Sequence, residues 1–413
     1  MLVGAEHPLR RELHQELHAR PSLYFDGDTD VWHVAIVSEN AAPPIPSELL
    51  ELDDVAITGQ GSHGIGKCGD GRLKWEAHTE FVTLTYVSPA SIDQPTALPK
   101  PFYDCIRFVE GKVIAAVRVL VRDEKEAPRP KPGVDYVASK VGGGDAEVYS
   151  SFRLDDDGFV EFRVYNRNLN AYRTGRMVRR LLEIETYRMM ALLGMPVARE
   201  TVKQLSDFDR RLTVLIEHMQ SEIKVDKALL SEVTKLSSDV LKLTAKAKQR
   251  FGATKAYAEI VASRMIELRE ERVEDRQRIC TFIDRRFQPA VRFVHATERR
   301  LSEVGERVSL AGDLLRTTVQ VQLEDQNASL LSSMEERARV QVHIQQAVEG
   351  FSVIAITYYA ISLTKVCLEA AGELGFDVHL AKAGLLFTVP VAVFAIWAGI
   401  RHVRKGIAAH SAS

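Results

Sequence analysis

Apolar and polar positions follow one rhythm up to about Asn170 and another from there almost to the end. In the first part they alternate in short runs, the period of a half-buried strand. Val31–Val37 is apolar and β-branched. Leu73–His78 and Glu80–Val87 alternate, and Lys112–Val121 reads as a buried strand. Glu147–Leu154 and Phe159–Val164 flank Asp155-Asp-Asp-Gly158, a hairpin turn signal. Proline-rich connections fall at Ala41–Pro46, Pro89–Pro101 and Pro128–Pro132. Ahead of the strands, Leu9, Leu13 and Leu17 recur every fourth residue and predict a short helix ending at Pro21.

After Thr174 the period becomes helical. One helix is predicted over Gly175–Leu193, closed by Gly194 and Pro196. A stripe at Leu205, Phe208, Leu212, Leu215, Met219 and Ile223 resumes at Leu230, Val233, Leu236, Val240 and Leu243, with the 3-4 spacing of a heptad. Arg250–Thr254 marks a bend or a break, and Lys255–Arg276 continues helical. Thr281 and Asp284 approximate a capping box, with Pro289 in the first turns behind them. From there apolar positions recur through Val308, Leu315, Val319, Leu323, Leu330, Met334 and Val342, interrupted at Gln326 and Asn327. A helix from Thr281 to Glu369 would be roughly 130 Å long at 1.5 Å per residue. It would need partners along its length, from the preceding helices or from other subunits.

The C-terminal end carries two apolar runs, Phe351–Leu368 and Gly384–Ile400. A membrane-spanning helix needs about 20 mostly apolar residues, and each run with its flanks approaches that. Lys365 lies where a lysine stem can snorkel toward headgroups. Arg337 and Arg339 precede the first run, and Arg401, His402, Arg404 and Lys405 follow the second. Positive residues therefore concentrate outside the hairpin, which predicts both termini in the cytosol and an acidic loop, with Glu373 and Asp377, on the other side. Met1–Arg20 holds no apolar core of a secretory signal, so insertion is expected to depend on the C-terminal runs.

Composition narrows the picture further. With 46% hydrophobic and 27% charged residues, the 413-residue chain is not a disordered one. A formal net charge of −2 gives no bulk attraction to nucleic acid. Cys68, Cys105, Cys280 and Cys367 form no C-x-x-C pair, which argues against a zinc ribbon or a disulfide framework.

Several clusters invite a chemical reading. Gly61-Ser-His-Gly-Ile-Gly-Lys-Cys68 approaches the phosphate-binding spacing G-x-x-x-x-G-K-[ST]. Cys68 replaces the hydroxyl, and Gly69 and Gly71 stand where a helix should start, so a flexible glycine loop between strands fits better. Glu76, His78 and Glu80 alternate and would share one strand face, as metal ligands or as a salt-bridged polar surface. His14 and His18, four apart, allow a metal pair or a solvated helix rim. Arg173, Arg176, Arg179, Arg180 and Arg188 form a basic patch beside Glu183 and Glu185, where internal ion pairing competes with anion binding. No Ser/His/Asp or Cys/His set stands out, so no catalytic residue and no cofactor is assigned, and no metal ligand set is fixed.

Long stretches carry a family resemblance. They are Leu17-His-Ala-Arg-Pro21, Trp75-Glu-Ala-His-Thr-Glu-Phe81, Leu181–Ala191, Leu323-Glu-Asp-Gln-Asn327 and Val348–Tyr359. They resemble the signatures of a bacterial family of unknown function, described as predicted membrane-anchored proteins. The resemblance spans nearly the whole chain and implies an anchor but no activity. The order of parts alone also resembles the CorA-type magnesium channels, whose stalk helices line a pore and carry a Gly-Met-Asn signature. That signature is missing here: the one Gly-Met, Gly194-Met195, is followed by Pro196.

These readings predict an α+β chain. A mixed-sheet α/β domain would span residues 1–172 and a helical bundle or coiled-coil stalk 173–349. A two-helix transmembrane hairpin would occupy 350–405, with helices near 351–370 and 384–401, and a cytosolic tail 406–413. The expected protein is a non-enzymatic scaffold or regulator in the cytoplasmic membrane. It would contact the lipid bilayer, form a homo-oligomer through the stalk and bind no nucleic acid. The alternative is a divergent CorA-like channel for a divalent cation. Thr357, Tyr358, Ser362 and Thr364 would then line the pore, and Glu373 and Asp377 would attract cations at its mouth.

Overall fold

The computed structural model describes residues 7–11, 13–14, 23–24, 27–38, 42–90, 98–125, 136–221, 227–374, 390–391, 393–394 and 397–398. Two compact units divide the chain, Met1–Leu314 and Leu315–Ser413. The switch from strands to helices near residue 172 falls inside the first.

That first unit is α+β. Its strands are β1 Thr29–Val37, β2 Asp53–Thr58, β3 His63–Cys68, β4 Gly71–Ala77, β5 Phe81–Pro89, β6 Lys112–Asp123, β7 Val137–Val141, β8 Ala146–Leu154, β9 Val160–Asn166 and β10 Glu271–Arg272. They form one mixed sheet in the order β10-β7-β8-β9-β6-β1-β5-β4-β3-β2. Every pairing is antiparallel except β6 with β9. The helices are α1 Ser47–Leu50, α2 Lys100–Phe108, α3 Ala171–Leu192, α4 Gly194–Ser221, α5 Lys227–Glu267 and α6 Ile279–Glu373.

Alternation along each strand gives the sheet two buried faces. Trp32, Val34 and Ile36 of β1 join Leu73, Trp75, Val82, Leu84 and Tyr86 under α1 and α2, through Leu49, Phe102 and Cys105. The opposite face, with Val31, Val117, Val119, Phe162 and Val164, packs on α3, α5 and the start of α6. Met177, Val178, Leu181 and Leu182 of α3, Val261 and Met265 of α5, and Ile283 and Phe287 of α6 supply the covering apolar surface.

Several expectations change. The glycine stretch before Cys68 is not a flexible loop: His63–Cys68 is β3, paired with β2 and β4. Its glycines serve packing, since a Cβ on Gly64 would lie 2.1 Å from the Trp75 ring and one on Gly66 2.8 Å from Leu52. α2 begins within the stretch read as a proline-rich connection, with Pro101 in its first turn, where the missing N–H costs nothing. α5 runs through Arg250–Thr254 without a break. Gly194 opens α4 directly behind α3, and Thr254 of α5 lies so close that a Cβ there would stand 2.3 Å from its hydroxyl. The Asp155–Gly158 turn joins β8 to β9 as expected: Gly158 has φ +82°, and the Asp155 carboxylate accepts from the Asp157 and Phe159 N–H groups.

In the second unit, α6 is exposed from Leu323 to Val348, including Leu330, Met334 and Val342. Among the described residues, α6 is the one helix long and apolar enough to cross a membrane. Its apolar window has mean hydropathy 1.6 and is 6% buried. Within it Val353, Thr357, Ile361 and Leu368 are more sheltered than their neighbours and share one face. The expected second run, the outer loop beyond Leu374 and the basic tail lie largely or wholly outside the described residues, as do His18 and Asp377. Pro390, Val391, Val393, Phe394, Trp397 and Ala398 are helical.

Candidate functional site

Where β1, β4 and β5 meet α3, the buried face of the sheet is polar rather than apolar. Alternation that points Trp32, Leu73, Trp75, Val82 and Leu84 to one core points His33, Lys74, Glu76, Thr83 and Thr85 to the other side. α3 covers them with Arg179, Glu183, Thr186 and Tyr187, leaving a cavity of about 60 Å³. One water needs roughly 10–15 Å³ on the same measure, so several fit.

His33 sits at the bottom, opposite Thr85 in the register of β1 and β5. Its Nδ1 lies 2.8 Å from the Thr85 hydroxyl and its Nε2 3.0 Å from the Thr186 hydroxyl. Burial drives its pKa down to about 3, with Lys74 and His78 adding to the depression and Glu76 opposing it. The imidazole is therefore neutral at physiological pH and a poor base. Lys74, 3% exposed, pairs with Glu76 at 3.2 Å. Burial lowers the Lys74 pKa, partly offset by Glu76. For Glu76 burial pushes upward, but Lys74, Arg179 and His78 together outweigh it and hold the carboxyl below its ordinary value. Its second oxygen, Oε1, is buried and has no hydrogen-bond partner among the described residues. An acceptor left so in a polar cavity calls for a water or a ligand donor.

Glu76, His78 and Glu80 do not share a strand face. β4 ends at Ala77, so His78 and Glu80 belong to the turn into β5. His78 stacks on Phe81 at 4.2 Å between ring centroids and lines the cavity. Glu80 turns to α5, where Arg250 and the Tyr257 hydroxyl donate to it at 3.1 and 2.9 Å. No group of three His, Cys, Asp or Glu side chains suited to a metal occurs among the described residues.

Most of the basic patch on α3 is internally paired, as its flanking acids suggest. Arg173 pairs with Asp145 at 2.5 Å, Arg179 with Glu183 at 2.7 Å, Arg180 with Glu267 at 2.9 Å and Arg188 with Glu185 at 2.6 Å. Glu183 also takes Arg264 of α5. Arg176 is exposed, has no ion-pair partner among the described residues, and lines the cleft.

Of the pore candidates, Thr357 is 8% exposed and its hydroxyl lacks a partner among the described residues. Tyr358 and Ser362 are exposed, and Thr364 donates to the Ala360 carbonyl at 2.7 Å. Glu373 is exposed at the last residue of α6.

The sequence alone leaves His33, Lys74, Thr85 and Thr186 unmarked. The register could have revealed Lys74, two positions before Glu76 on the same face. The contact between the Cys68 and Cys105 sulfurs, 3.5 Å apart in the opposite core, is likewise hidden by 37 residues of separation.

Two of the stretches that carry the family resemblance, Trp75–Phe81 and Leu181–Ala191, face each other across this cavity. The family model described as protein of unknown function (DUF3422) matches residues 5–407, and the chain belongs to that family. Comparison with curated proteins gives no match.

Proposed function

We propose that this member of the family is a membrane-anchored, non-enzymatic protein of regulatory or scaffold type, presenting its sheet-and-helix unit in the cytosol. The observation that carries this reading is the apolar window of α6, with mean hydropathy 1.6 and 6% buried. So much uncovered apolar surface is unfavourable in water and favourable in a bilayer. Two of the hydroxyls inside it, those of Ser352 and Thr364, donate to carbonyls one turn back, as a lipid environment favours. The sheltered face of Val353, Thr357 and Ile361, with the apolar run after Gly384, supports a two-helix anchor, and the basic flanks at Arg337, Arg339, Arg401, Arg404 and Lys405 support cytosolic termini. The exposed stripe of Leu323, Leu330, Met334 and Val342 supports assembly with further copies of this chain. A neutral His33 held between two threonines supports a binding role over acid–base chemistry.

The test is membrane extraction of the full chain beside a chain stopped after Glu349. The full chain should stay in the membrane pellet at alkaline pH and leave it only with detergent, and the shortened chain should be released. Release of the full chain by alkali, or retention of the shortened one, overturns the anchor. Light scattering of the detergent-solubilised chain should give a multiple of 46.2 kDa, and a monomer refutes assembly.

A further inference from the structure

A second cavity, of about 110 Å³, opens at the N-terminal end of α3, between the β7–β8 turn and the end of α5. Four arginines line it: Arg173, Arg176, Arg180 and Arg269. No carboxylate does among the described residues. The first three fall at i, i+3 and i+7 and so share one face of α3. Arg269 follows α5 in a left-handed conformation, φ +46°.

The positive charge here exceeds the negative charge that meets it. Arg173 has Asp145, and Arg180 has Glu267, a carboxylate shared with Arg264 at 2.6 Å. Arg176 has no ionic partner among the described residues, and Arg269 reaches the neutral Gly142 carbonyl at 3.5 Å. Arg173 donates to the same carbonyl at 3.3 Å, which brings two cations side by side on one neutral acceptor. Gly142, Gly143 and Gly144, all at positive φ, turn the chain tightly there, and Gly142 lines the cavity. Planar guanidinium forks converging on a space wider than one water match the oxygens of a phosphate group.

We propose that this cavity binds a soluble, phosphate-bearing small molecule with more than one negative charge. Arg176 and Arg269 are its principal ligands, and Arg173 and Arg180 stand as supporting donors already anchored by carboxylates. The site is independent of the membrane anchor, because all its residues belong to the first compact unit.

The test is calorimetric titration of the full detergent-solubilised chain with inorganic pyrophosphate and, separately, with ATP, against sodium chloride as a control. We expect saturable binding of at least one of the two at one site per chain, weakening as ionic strength rises. Arg176→Gln and Arg269→Gln should each weaken it by tenfold or more, and Arg176→Lys should lose less than Arg176→Gln. Intrinsic tryptophan fluorescence and thermal unfolding of each variant confirm that the fold is kept. Arg176, exposed and unpaired, gives a variant that leaves the packing unchanged. Pyrophosphate favoured over ATP identifies a site for the phosphate group alone, and ATP favoured identifies a nucleotide-sized ligand. Absence of binding of both at millimolar concentration overturns the proposal. So does wild-type affinity in both glutamine variants, which would place the anion elsewhere. Membrane extraction is read separately, so failure here leaves the anchor untouched.

Discussion

His33 should make the first unit lose stability under mildly acidic conditions, and its replacement should remove that loss. The imidazole is buried, with a threonine hydroxyl on each ring nitrogen at 2.8 and 3.0 Å. Both hydroxyls could accept from a doubly protonated ring, so hydrogen bonding does not forbid the charge. Burial does, and it sets the folded pKa near 3 against 6.5 for the free side chain. The charges facing the ring are Lys74 and His78, which oppose protonation, and Glu76, which favours it without prevailing. Because the folded value is the lower one, the unfolded chain binds more protons below pH 6.5. Stability contributed by the neutral ring is complete above that value and is lost as pH falls toward 3. The slope approaches about 1.4 kcal/mol per pH unit, which gives about 2 kcal/mol between roughly pH 7.5 and 5. Staying above about pH 5 keeps the depressed carboxylates, Glu76 and Glu161, out of the window. Trp32 and Trp75, 1% and 0% exposed, report unfolding of this unit once Trp397, the third tryptophan, is replaced by Phe. Urea denaturation in that background, with and without His33→Gln, gives two curves of stability against pH. The glutamine variant should be less stable throughout but flatter across the window. Parallel curves would refute the reasoning, because another group would then be carrying the proton linkage.

The buried ion pair should show in the same assay. Glu76→Gln leaves Lys74 buried without its partner and should cost about 3 kcal/mol, the lower end for a broken buried pair because Lys74 can shed its proton. Adding Lys74→Met should recover most of that, and additive losses would deny the coupling. Gly64→Ala places a methyl 2.1 Å from the Trp75 ring. It should cost about 1–3 kcal/mol and shift the tryptophan emission. An unchanged midpoint and spectrum would show that β3 does not depend on this contact.

How much of this was legible varied with the physical origin of each part. β1, β5, β6 and the β8–β9 hairpin were readable because alternation and the Asp-Gly turn are local signals. β3 was not, because Gly64 and Gly66 lower its strand propensity for the sake of Trp75 and Leu52, which meet them from other parts of the chain. α2 was hidden by Pro99 and Pro101, although Pro101 stands where a helix tolerates it best. α6 was clear in extent, since helical period and scarcity of glycine and proline are sequence properties. Assembly through it is not legible, because an exposed stripe does not name what would cover it. At the cleft, Glu76 and His78 were marked by their spacing. His33 and Thr186 are 153 positions apart and meet only through the sheet and α3.

A net charge of −2 argues against bulk attraction to polyanions, yet says nothing about a cavity. Potential in a narrow space is set by the few charges lining it and by how many already have partners. Along α3, Arg179 and Arg188 are tied to acids on their own helix, and Arg173 and Arg180 to acids brought from the β7–β8 turn and from α5. Counting acids near a basic patch in sequence therefore predicts its neutralisation only in part. Arg176, with the same acidic neighbours in sequence, lines both cavities and pairs with none of them. Its freedom follows from helix geometry. Glu183 lies about two turns further along α3, beyond the reach of an i,i+4 pair, and already holds Arg179 and Arg264. That makes Arg176 the residue whose replacement separates a ligand site from a folded ion-pair network. Loss of a paired arginine would disturb both, and loss of Arg176 should disturb binding alone.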